Sequence, residues 1–428
     1  MSISSSLFTG SSGLGAHGDA ISIVGDNIAN ASTVGFKSSR ATFEDVLGGT
    51  GANGQRYGNG VRMGGPELQF GQGSIQQTGK PLDFAVRGNG FFVVSGTHDG
   101  QTGSFYTRDG DFLLDNSGTI VNADGLKLQG YTIDPKGQVS TTLGDLKIGG
   151  QSPPNATTTL AMKMNLDAGA TTPASPWSAT DPANTSNYQT SATVYDSLGG
   201  THRVDLYFRN DGAGGWQWHA MVDGGDLTGG TKGTPTEIAA GTLAFNGNGA
   251  LASAAVTTPS SASFVGAAPN QAIAFNFGDP LAAGGTGVAG ATQTAGASNV
   301  TGLTQDGYAA GTLTDVVTDS DGTITGVFDN GQSRPIARLA LATFQSNEGL
   351  RRAGNQLFSE TRDSGQALVG QAGAGSRGAI SSGSLESSNV DLSNQLVTMI
   401  AYQRAFQANA KTVTTADEML NEVANLKR

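Results

Sequence analysis

Residues 7–37 decide how the chain folds, and they read LFTGSSGLGAHGDAISIVGDNIANASTVGFK. Large apolar residues recur in this stretch at intervals of seven, which is the spacing of helices that pack side by side in coiled coils. A second row, offset by four positions and made of small residues, predicts that a neighbouring helix approaches closely. The apolar row is Leu7, Leu14, Ile21 and Ile28, and the small row is Ser4, Ser11, Gly18, Gly25 and Ser32.

Glycine weakens this N-terminal helix. Five glycines fall inside it, and each costs about 1 kcal/mol of helix propensity relative to alanine, or roughly 5 kcal/mol together. An isolated helix of this kind is unstable in water, so we expect the segment to fold only when partner helices pack against it. The five are Gly10, Gly13, Gly15, Gly18 and Gly25.

The C-terminal end of the chain repeats the seven-residue pattern. Asn389 is expected to cap a helix that runs from about Val390 almost to Arg428, with Asp391 near its positive end. A shorter row, which begins at Leu396, follows the main row at an offset of four. The main apolar row is Leu392, Met399, Phe406, Val413 and Leu420.

Two apolar helices at opposite ends of one chain have a simple explanation, which is that they pair with each other. The sequence therefore predicts a terminal helical domain made of residues 1–35 and 385–428, with a linker at 36–70. Because such a pair has little core of its own, it favours contacts with further helices. The alternative is that each helix belongs to the core of its own globular domain.

The middle of the chain is typical of antiparallel β-structure. Pairs such as Asp99-Gly100 separate short apolar runs, as they do in β-hairpins. Residues 150–304 hold only nine acidic and four basic residues and contain all three tryptophans. We therefore expect a mainly β, nested multidomain fold, in which coiled-coil-like terminal α-helices enclose a split β-domain (71–149 and 305–384) and an inserted outer β-domain (150–304).

Composition excludes several classes of function. The chain has 428 residues, a net charge of -11 and no cysteine. Cysteine-based catalysis and thiolate metal sites are therefore excluded, and an acidic chain is a poor partner for nucleic acid. No apolar run reaches the roughly 20 residues that a helix needs to insert in a membrane. The first basic residue is Lys37, so a secretory signal peptide with a basic segment is not expected.

No motif predicts catalysis or a cofactor. Two Gly-x-Gly-x-x-Gly matches, at 13–18 and 373–378, lack the flanking strand and helix of a dinucleotide site. Asp319 and Asp321 begin a calcium-loop-like stretch that lacks the closing glutamate. The four histidines are scattered without metal-ligand spacing. We therefore expect no enzyme activity, no cofactor and no metal site.

Three separated blocks of sequence carry a family resemblance. The first contains Asn27, Asn30, Thr33, Gly35 and Phe36. The second covers 72–93 and 106–110, and the third, at 385–392, contains Asn389 and Asp391. In this order the blocks resemble the bacterial flagellar rod and hook family of axial proteins.

The length of the chain, its insertion and the segments 195–199 and 305–311 are similar to the hook-forming members rather than the shorter rod-forming ones. The resemblance implies a structural subunit that polymerises with itself into a curved tube, a flexible joint that transmits torque from rod to filament.

The resemblance also implies an extracellular place in the flagellar hook and basal body, reached by type III export without a cleaved signal peptide. The implied partners are rod and hook–filament junction proteins, the hook cap and the export apparatus. The two apolar rows, together with Leu396, are the expected assembly interface.

Two alternatives stay open at this stage. A distal rod protein of the same family would form a straight polymer, and the large insertion argues against it. A secreted carbohydrate-binding or adhesin-like β-protein would stack sugars on Trp216 and Trp218, although alternating residues of one strand more often face a core. Assembly into tubes without affinity for glycans distinguishes the hook-forming subunit from this second class.

Overall fold

The structure is a computed structural model that describes residues 3–50, 56–134, 137–212 and 214–425. Helices lie at the two ends, α1 at Ile3–Ala29 and α2 at Leu392–Asn425, and β-strands fill the sequence between them. The expectation of a mainly β fold with terminal helices is confirmed. Of the residues predicted to be helical at the ends, 1, 2 and 426–428 lie outside the described part.

The strands follow one another through the whole middle of the chain. The first ten are β1 (Ser39–Thr50), β2 (Arg56–Leu68), β3 (Ile75–Gln77), β4 (Phe84–Arg87), β5 (Phe91–His98), β6 (Gln101–Thr107), β7 (Leu113–Leu114), β8 (Ile120–Val121), β9 (Lys127–Thr132) and β10 (Gly144–Asp145). The next ten are β11 (Gln151–Ser152), β12 (Thr159–Asp167), β13 (Tyr188–Tyr195), β14 (Thr201–Asn210), β15 (Gly215–Asp223), β16 (Pro235–Phe245), β17 (Leu251–Thr258), β18 (Ala274–Asn276), β19 (Ala291–Thr294) and β20 (Asn299–Gln305). The last are β21 (Gly311–Thr318), β22 (Thr323–Phe328), β23 (Ser333–Thr343), β24 (Arg351–Gly354), β25 (Leu357–Ser359), β26 (Leu368–Gln371), β27 (Ala379–Ser382) and β28 (Ser384–Glu386).

The chain divides into two compact units. The first contains residues 1–150, 314–327 and 333–428, and the second contains 151–313 and 328–332. The domain limits expected from the sequence stay a prediction. The segment 36–70, expected to be a linker, contains the long antiparallel pair β1–β2.

The first unit is organised by its largest sheet, in which β22, β23, β9, β5, β6, β25 and β24 follow in order. Phe91 and Phe358 pack edge to face in the core beneath this sheet, with ring centroids 5.8 Å apart. Two small antiparallel pairs, β4–β27 and β3–β28, join segments that are remote in sequence. They bring the strand that precedes α2 next to residues 75–77.

The turn between β5 and β6 shows why the Asp-Gly pairs predict hairpins. Asp99 and Gly100 have φ angles of 48° and 76°. A two-residue turn that matches the twist of its strands needs positive φ at both positions, which glycine adopts freely and aspartate tolerates. The prediction of a hairpin here is confirmed by the register from Phe92↔Thr107 to His98↔Gln101.

The second unit contains a five-stranded antiparallel meander, β13 to β17 in sequence order. Beside it in the chain, β12 pairs antiparallel with β20 and parallel with β18 and β19. Trp216 and Trp218 alternate along β15 and are fully buried in the core. Because both indoles are buried, they offer no surface on which sugars would stack.

Candidate functional site: the terminal helix pair and its root

The two terminal helices run antiparallel. The N-terminal part of α1 lies beside the C-terminal part of α2, since a Cβ atom at Gly10 would lie 2.8 Å from Cγ2 of Val413. At the other end of the pair, Nδ2 of Asn27 donates to Oε1 of Gln395 at 3.1 Å. The predicted pairing of the terminal helices is confirmed.

Glycines allow the close approach of the two helices. A Cβ at Gly13 would lie 2.6 Å from Oδ1 of Asn409, which is too close for any side chain to fit without movement. Gly10 meets the same obstacle at Val413. Two of the five glycines that weaken α1 as an isolated helix, Gly10 and Gly13, therefore make room for α2.

The small row expected from the sequence is not the row that makes this contact within one copy, and its approach to helices of other copies stays a prediction. A Cβ at Gly18 would lie 3.9 Å from Phe406, and one at Gly25 would meet nothing within 4 Å. Ser32 lies beyond the end of α1, and the side chain of Ser4 is outside the described part. The buried positions of α1 are instead Gly10, Gly13, Ala16, Ala20, Val24 and Asn27.

The predicted apolar rows lie largely outside this buried face. Leu7, Leu14, Ile21 and Ile28 are half-buried, as are Met399 and Val413. The others on α2 are between 39% and 48% exposed, namely Leu392, Leu396, Phe406 and Leu420. The pair therefore keeps an apolar surface that one copy of the chain does not cover.

Sequence reasoning missed part of this surface. Five further large apolar residues on the two helices are exposed, and most of them lie one position from a heptad residue, which is the signal that would have found them. They are Phe8, Val397, Ile400, Met419 and Val423.

An aromatic cluster ties the helix pair to the β1–β2 hairpin. The ring of His17 on α1 lies 5.2 Å from that of Phe43 on β1 and 6.0 Å from that of Tyr402 on α2. Phe43 and Tyr402 meet edge to face at 5.8 Å. On the other side of α1, Oγ of Ser12 accepts a hydrogen bond from the backbone N–H of Val61.

We expect the helix pair to be incompletely folded in the unassembled chain, because its covered face is mostly glycine and alanine. Removal of residues 1–35 and 388–428 should then change the helical circular dichroism of the unassembled chain only slightly. High helix content in the unassembled chain that disappears on truncation would show that assembly is not needed for folding.

The helix root, residues 27–39 and 384–391, joins both helices to the β-structure through two asparagines. Asn27 pairs with the backbone of Ser39, donating to its carbonyl at 2.7 Å and accepting from its N–H at 2.8 Å. Asn389 accepts from the N–H of Ser38 at 2.8 Å and donates to the carbonyl of Gln69 at 2.7 Å. Each side-chain amide therefore hydrogen-bonds to backbone groups at the start of β1 or just after β2, as a neighbouring strand would.

Asn389 does not cap α2, and that prediction is wrong. Oδ1 of Asp391 accepts a hydrogen bond from the backbone N–H of Asn394 at 3.1 Å, so Asp391 is the capping residue. The helix begins at Leu392, and the side chain of Asn389 is instead engaged with Gln69, the residue after β2. At the end of α1, Asn30 donates to the carbonyl of Asp26, and its Oδ1 accepts from Thr33.

The turn after α1 requires glycine. Gly35 has a φ of 68°, and a Cβ there would lie 2.4 Å from the backbone nitrogen of Asp109. Its N–H donates to the carbonyl of Glu386 at 2.7 Å. Next to it, Phe36 is buried under the guanidinium of Arg352, which lies 4.8 Å from the ring centroid.

A buried ion cluster lies at the centre of the root. Glu386, which is fully buried, accepts from Nζ of Lys37 at 2.5 Å and from a guanidinium nitrogen of Arg108 at 3.0 Å. The same carboxylate accepts from the N–H of Gly73 at 2.8 Å. Burial lowers the pKa of Lys37 although Glu386 opposes the shift, and burial also lowers the pKa of Arg108. Sequence reasoning gave these residues no role. Charged residues are only 14% of the chain, so charges within the family blocks next to both helices could have indicated a buried ion cluster.

Asp109, beside this cluster in sequence, has a pKa raised to about 6. The main cause is burial, and the negative charges of three nearby carboxylates, Asp111, Asp124 and Asp83, add to it. A backbone hydrogen bond from Asp111 acts in the opposite direction and lowers the pKa. The folded state then holds this proton more tightly than the unfolded chain, so the group stabilises the fold in acid. That contribution is lost as pH rises from about 4 to about 6. We expect Asp109→Asn to flatten the fall of the melting temperature over this range.

Differential scanning calorimetry from about pH 4 to about pH 7 measures this effect. Asp99→Asn, at an exposed turn, is the control and should follow the wild-type chain. If Asp109→Asn also follows the wild-type chain, its carboxyl does not titrate with a raised pKa.

Within residues 3–50, 56–134, 137–212 and 214–425, no group of three histidine or carboxylate side chains is arranged to hold a metal ion. No helix in the described part is long and apolar enough to span a membrane.

Four protein-family models match successive segments of the chain, from its N-terminal helix to its C-terminal helix. Residues 7–37 match the model described as flagella basal body rod protein, and 85–160 match the flagellar hook protein FlgE/F/G D1 domain. Residues 165–308 match the flagellar basal body protein FlaE D2 domain, and 381–426 match the flagellar basal body rod FlgEFG protein C-terminal model.

The chain is 36% identical to the flagellar hook protein FlgE of Escherichia coli strain K12, across 97% of this chain and 98% of that protein. The chain belongs to the flagellar hook protein family. FlgE of Salmonella typhimurium strain LT2 is 35% identical over 97% of this chain and 98% of its own length. The crystal structure of Helicobacter pylori flagellar hook protein FlgE2 covers 71% of this chain and 98% of its own, with 15% identity and a TM-score of 0.48.

As a member of the hook protein family, the chain is a structural subunit of the flagellar hook and not an enzyme. The family implies a place in the hook and a polymer of like subunits. The resemblance drawn from the three sequence blocks is confirmed, and identity to hook proteins over nearly the full length favours them over the distal rod alternative. The residues of the assembly interface stay a prediction.

Proposed function

We propose that the chain assembles into a curved tubular polymer that acts as a flexible joint and transmits torque from rod to filament. The observation that supports this is the apolar surface of the helix pair, on which Leu392, Leu396 and Phe406 are exposed in one copy. Burying such side chains against further helices yields about 25 cal/mol per Å² of apolar surface. Helix pairs that pack in this way form the inner layer of the tube.

The same proposal names the partners at the ends of the polymer. These are rod proteins, hook–filament junction proteins and the hook cap, and the subunit reaches them through the flagellar type III export apparatus. Weak helices are suited to export because a glycine-rich segment such as Ile3–Ala29 unfolds at little cost. The finished polymer lies outside the cell.

The second unit supports bending through its low charge. With nine acidic and four basic residues across 150–304, contacts between neighbouring copies involve few ion pairs. Contacts made mainly by Thr, Ser, Asn and Gln side chains tolerate changes of spacing better than desolvated ion pairs, which are costly to break. We propose that this tolerance lets the spacing differ between the inner and outer sides of the bend.

We expect Leu14→Asp and Phe406→Asp to prevent assembly, because each places a charge in the apolar layer between helices. Electron microscopy of the purified chain under assembly conditions gives the readout. Gln407→Asp, at the exposed position next to Phe406, is the matched control and should still assemble. Normal tubes from both aspartate variants at the apolar positions would show that the helix rows do not hold the polymer together.

A further inference from the structure

A cleft opens beside the C-terminal half of α1, and we call it the root cleft. Its floor is made by Leu68 and Leu350, which are buried, and its walls by Ile23 and Pro66. The cleft has a volume of about 510 Å³. It is large enough for two or three apolar side chains from another helix.

The rim of the root cleft carries two arginines with different surroundings. Arg352 is engaged, since it pairs with Asp26 at 3.2 Å and donates to the carbonyl of Lys37. Arg351 is exposed and donates to the hydroxyl of Ser359 at 3.3 Å. Among the described residues, no carboxylate lies within ion-pair distance of Arg351, so the rim offers one cation to a partner.

The last turns of α2 have the complementary composition, and we call them the tail surface. Met419, Leu420 and Val423 are roughly half exposed and lie on one face of the helix. Glu418 and Glu422, four residues apart, lie along one side of that face and are exposed. Between residues 412 and 425 the chain has three acidic residues and no Lys or Arg. An apolar face with an acidic border fits an apolar cleft with a cationic rim.

The tail surface of the same copy does not reach the root cleft. The helices are antiparallel with Val413 beside Gly10, so the tail surface lies beyond Gly10 toward the start of α1. From Gly10 to Ile23 the helix rises by about 20 Å, at roughly 1.5 Å per residue. The complementary surfaces are therefore at opposite ends of one helix pair, and only a second copy can bring them together.

We infer that the tail surface of one copy docks in the root cleft of the next copy along the polymer. The inference rests on the proposed assembly of the chain and names the faces that meet in it. A contact between two different patches of identical subunits does not close on itself, so it extends into a filament. Leu420 and Val423 fill the cleft over Leu68 and Leu350, and Glu422 pairs with Arg351.

Charge reversal tests this pairing. Arg351→Glu and Glu422→Arg should each raise the critical concentration for assembly at least ten-fold, since each places like charges together. The double variant reverses both charges and should return to within about three-fold of the wild-type chain. Arg362→Glu, at an exposed arginine of the same unit, is the matched control and should assemble normally. Single variants that assemble as the wild-type chain does would overturn the pairing.

Crosslinking tests the contact without relying on charge. The chain has no cysteine, so Ser22→Cys with Val423→Cys in one chain introduces two thiols, one at each surface. A short bismaleimide should then give a ladder of covalent multimers from assembled polymer and none from the unassembled chain. Polymer without a ladder would overturn the inference and leave the proposed function standing. Failure of the wild-type chain to form tubes would instead overturn both.

Discussion

Glu386→Ala should destabilise the first unit by about 4 kcal/mol. The substitution leaves the ammonium of Lys37 and the guanidinium of Arg108 buried without the carboxylate that compensates them. Breaking a buried ion pair by removing one partner costs about 3–5 kcal/mol, far more than the pair contributes when intact. The N–H of Gly73 loses its acceptor as well. Because these groups join both helices to the β-structure, hooks should fail to form.

Urea unfolding followed by far-ultraviolet circular dichroism measures the loss. All three tryptophans, Trp177, Trp216 and Trp218, lie in the second unit, so tryptophan fluorescence follows that unit separately. Glu386→Gln, which keeps the volume and one acceptor, should lose less than Glu386→Ala.

An exposed pair of the same chemistry serves as the control for Glu386. Glu67 pairs with Arg40 at 2.7 Å in the same unit, with both side chains partly exposed. Exposed pairs of this kind are screened by solvent and contribute little to stability, so Glu67→Ala should change the stability little. Equal losses from Glu386→Ala and Glu67→Ala would contradict the argument that burial makes the difference.

The sequence predicts the two terminal helices and their pairing because the seven-residue spacing of apolar residues is a local property of each segment. Rows such as Leu7, Leu14 and Ile21 indicate a helix whatever surrounds it. Turn pairs such as Asp99-Gly100 are equally local, since the φ angles they need depend on the two residues themselves. These features define the mainly β fold with terminal helices.

Which face of α1 meets α2 depends on contacts that spacing alone does not contain. Both predicted rows are equally periodic, and spacing alone does not show that Gly13, which belongs to neither row, is the residue that packs against Asn409. The role of Asn389 was missed for the same reason, because its partners Ser38 and Gln69 lie more than 300 residues away in sequence. Local capping rules favour Asn389, and long-range hydrogen bonds override them.

Gly73→Ala should destabilise the first unit by about 3 kcal/mol. A Cβ at Gly73 would lie 1.9 Å from the carbonyl oxygen of Ser387, and that obstacle is backbone rather than a movable side chain. Relief of the clash has to push residues 386–388 away from 73–75, which separates β3 from β28. The shift also lengthens the hydrogen bond from the Gly73 N–H to Glu386, so the substitution loosens the ion cluster. Overpacking of this kind typically costs about 1–3 kcal/mol, and the added loss at Glu386 places Gly73→Ala at the upper end.

Gly71→Ala provides the matched control for this change. Gly71 lies two residues earlier in the same segment, and the nearest atom to its added Cβ would be Nδ2 of Asn389 at 3.9 Å, an ordinary contact. We therefore expect Gly71→Ala to unfold with the wild-type midpoint in urea and to support hook assembly, whereas Gly73→Ala does neither. If the two alanine variants are equally stable, β3 and β28 can separate enough to accept a side chain at Gly73. The contact between Gly73 and Ser387 then does not fix the position of the segment that precedes α2.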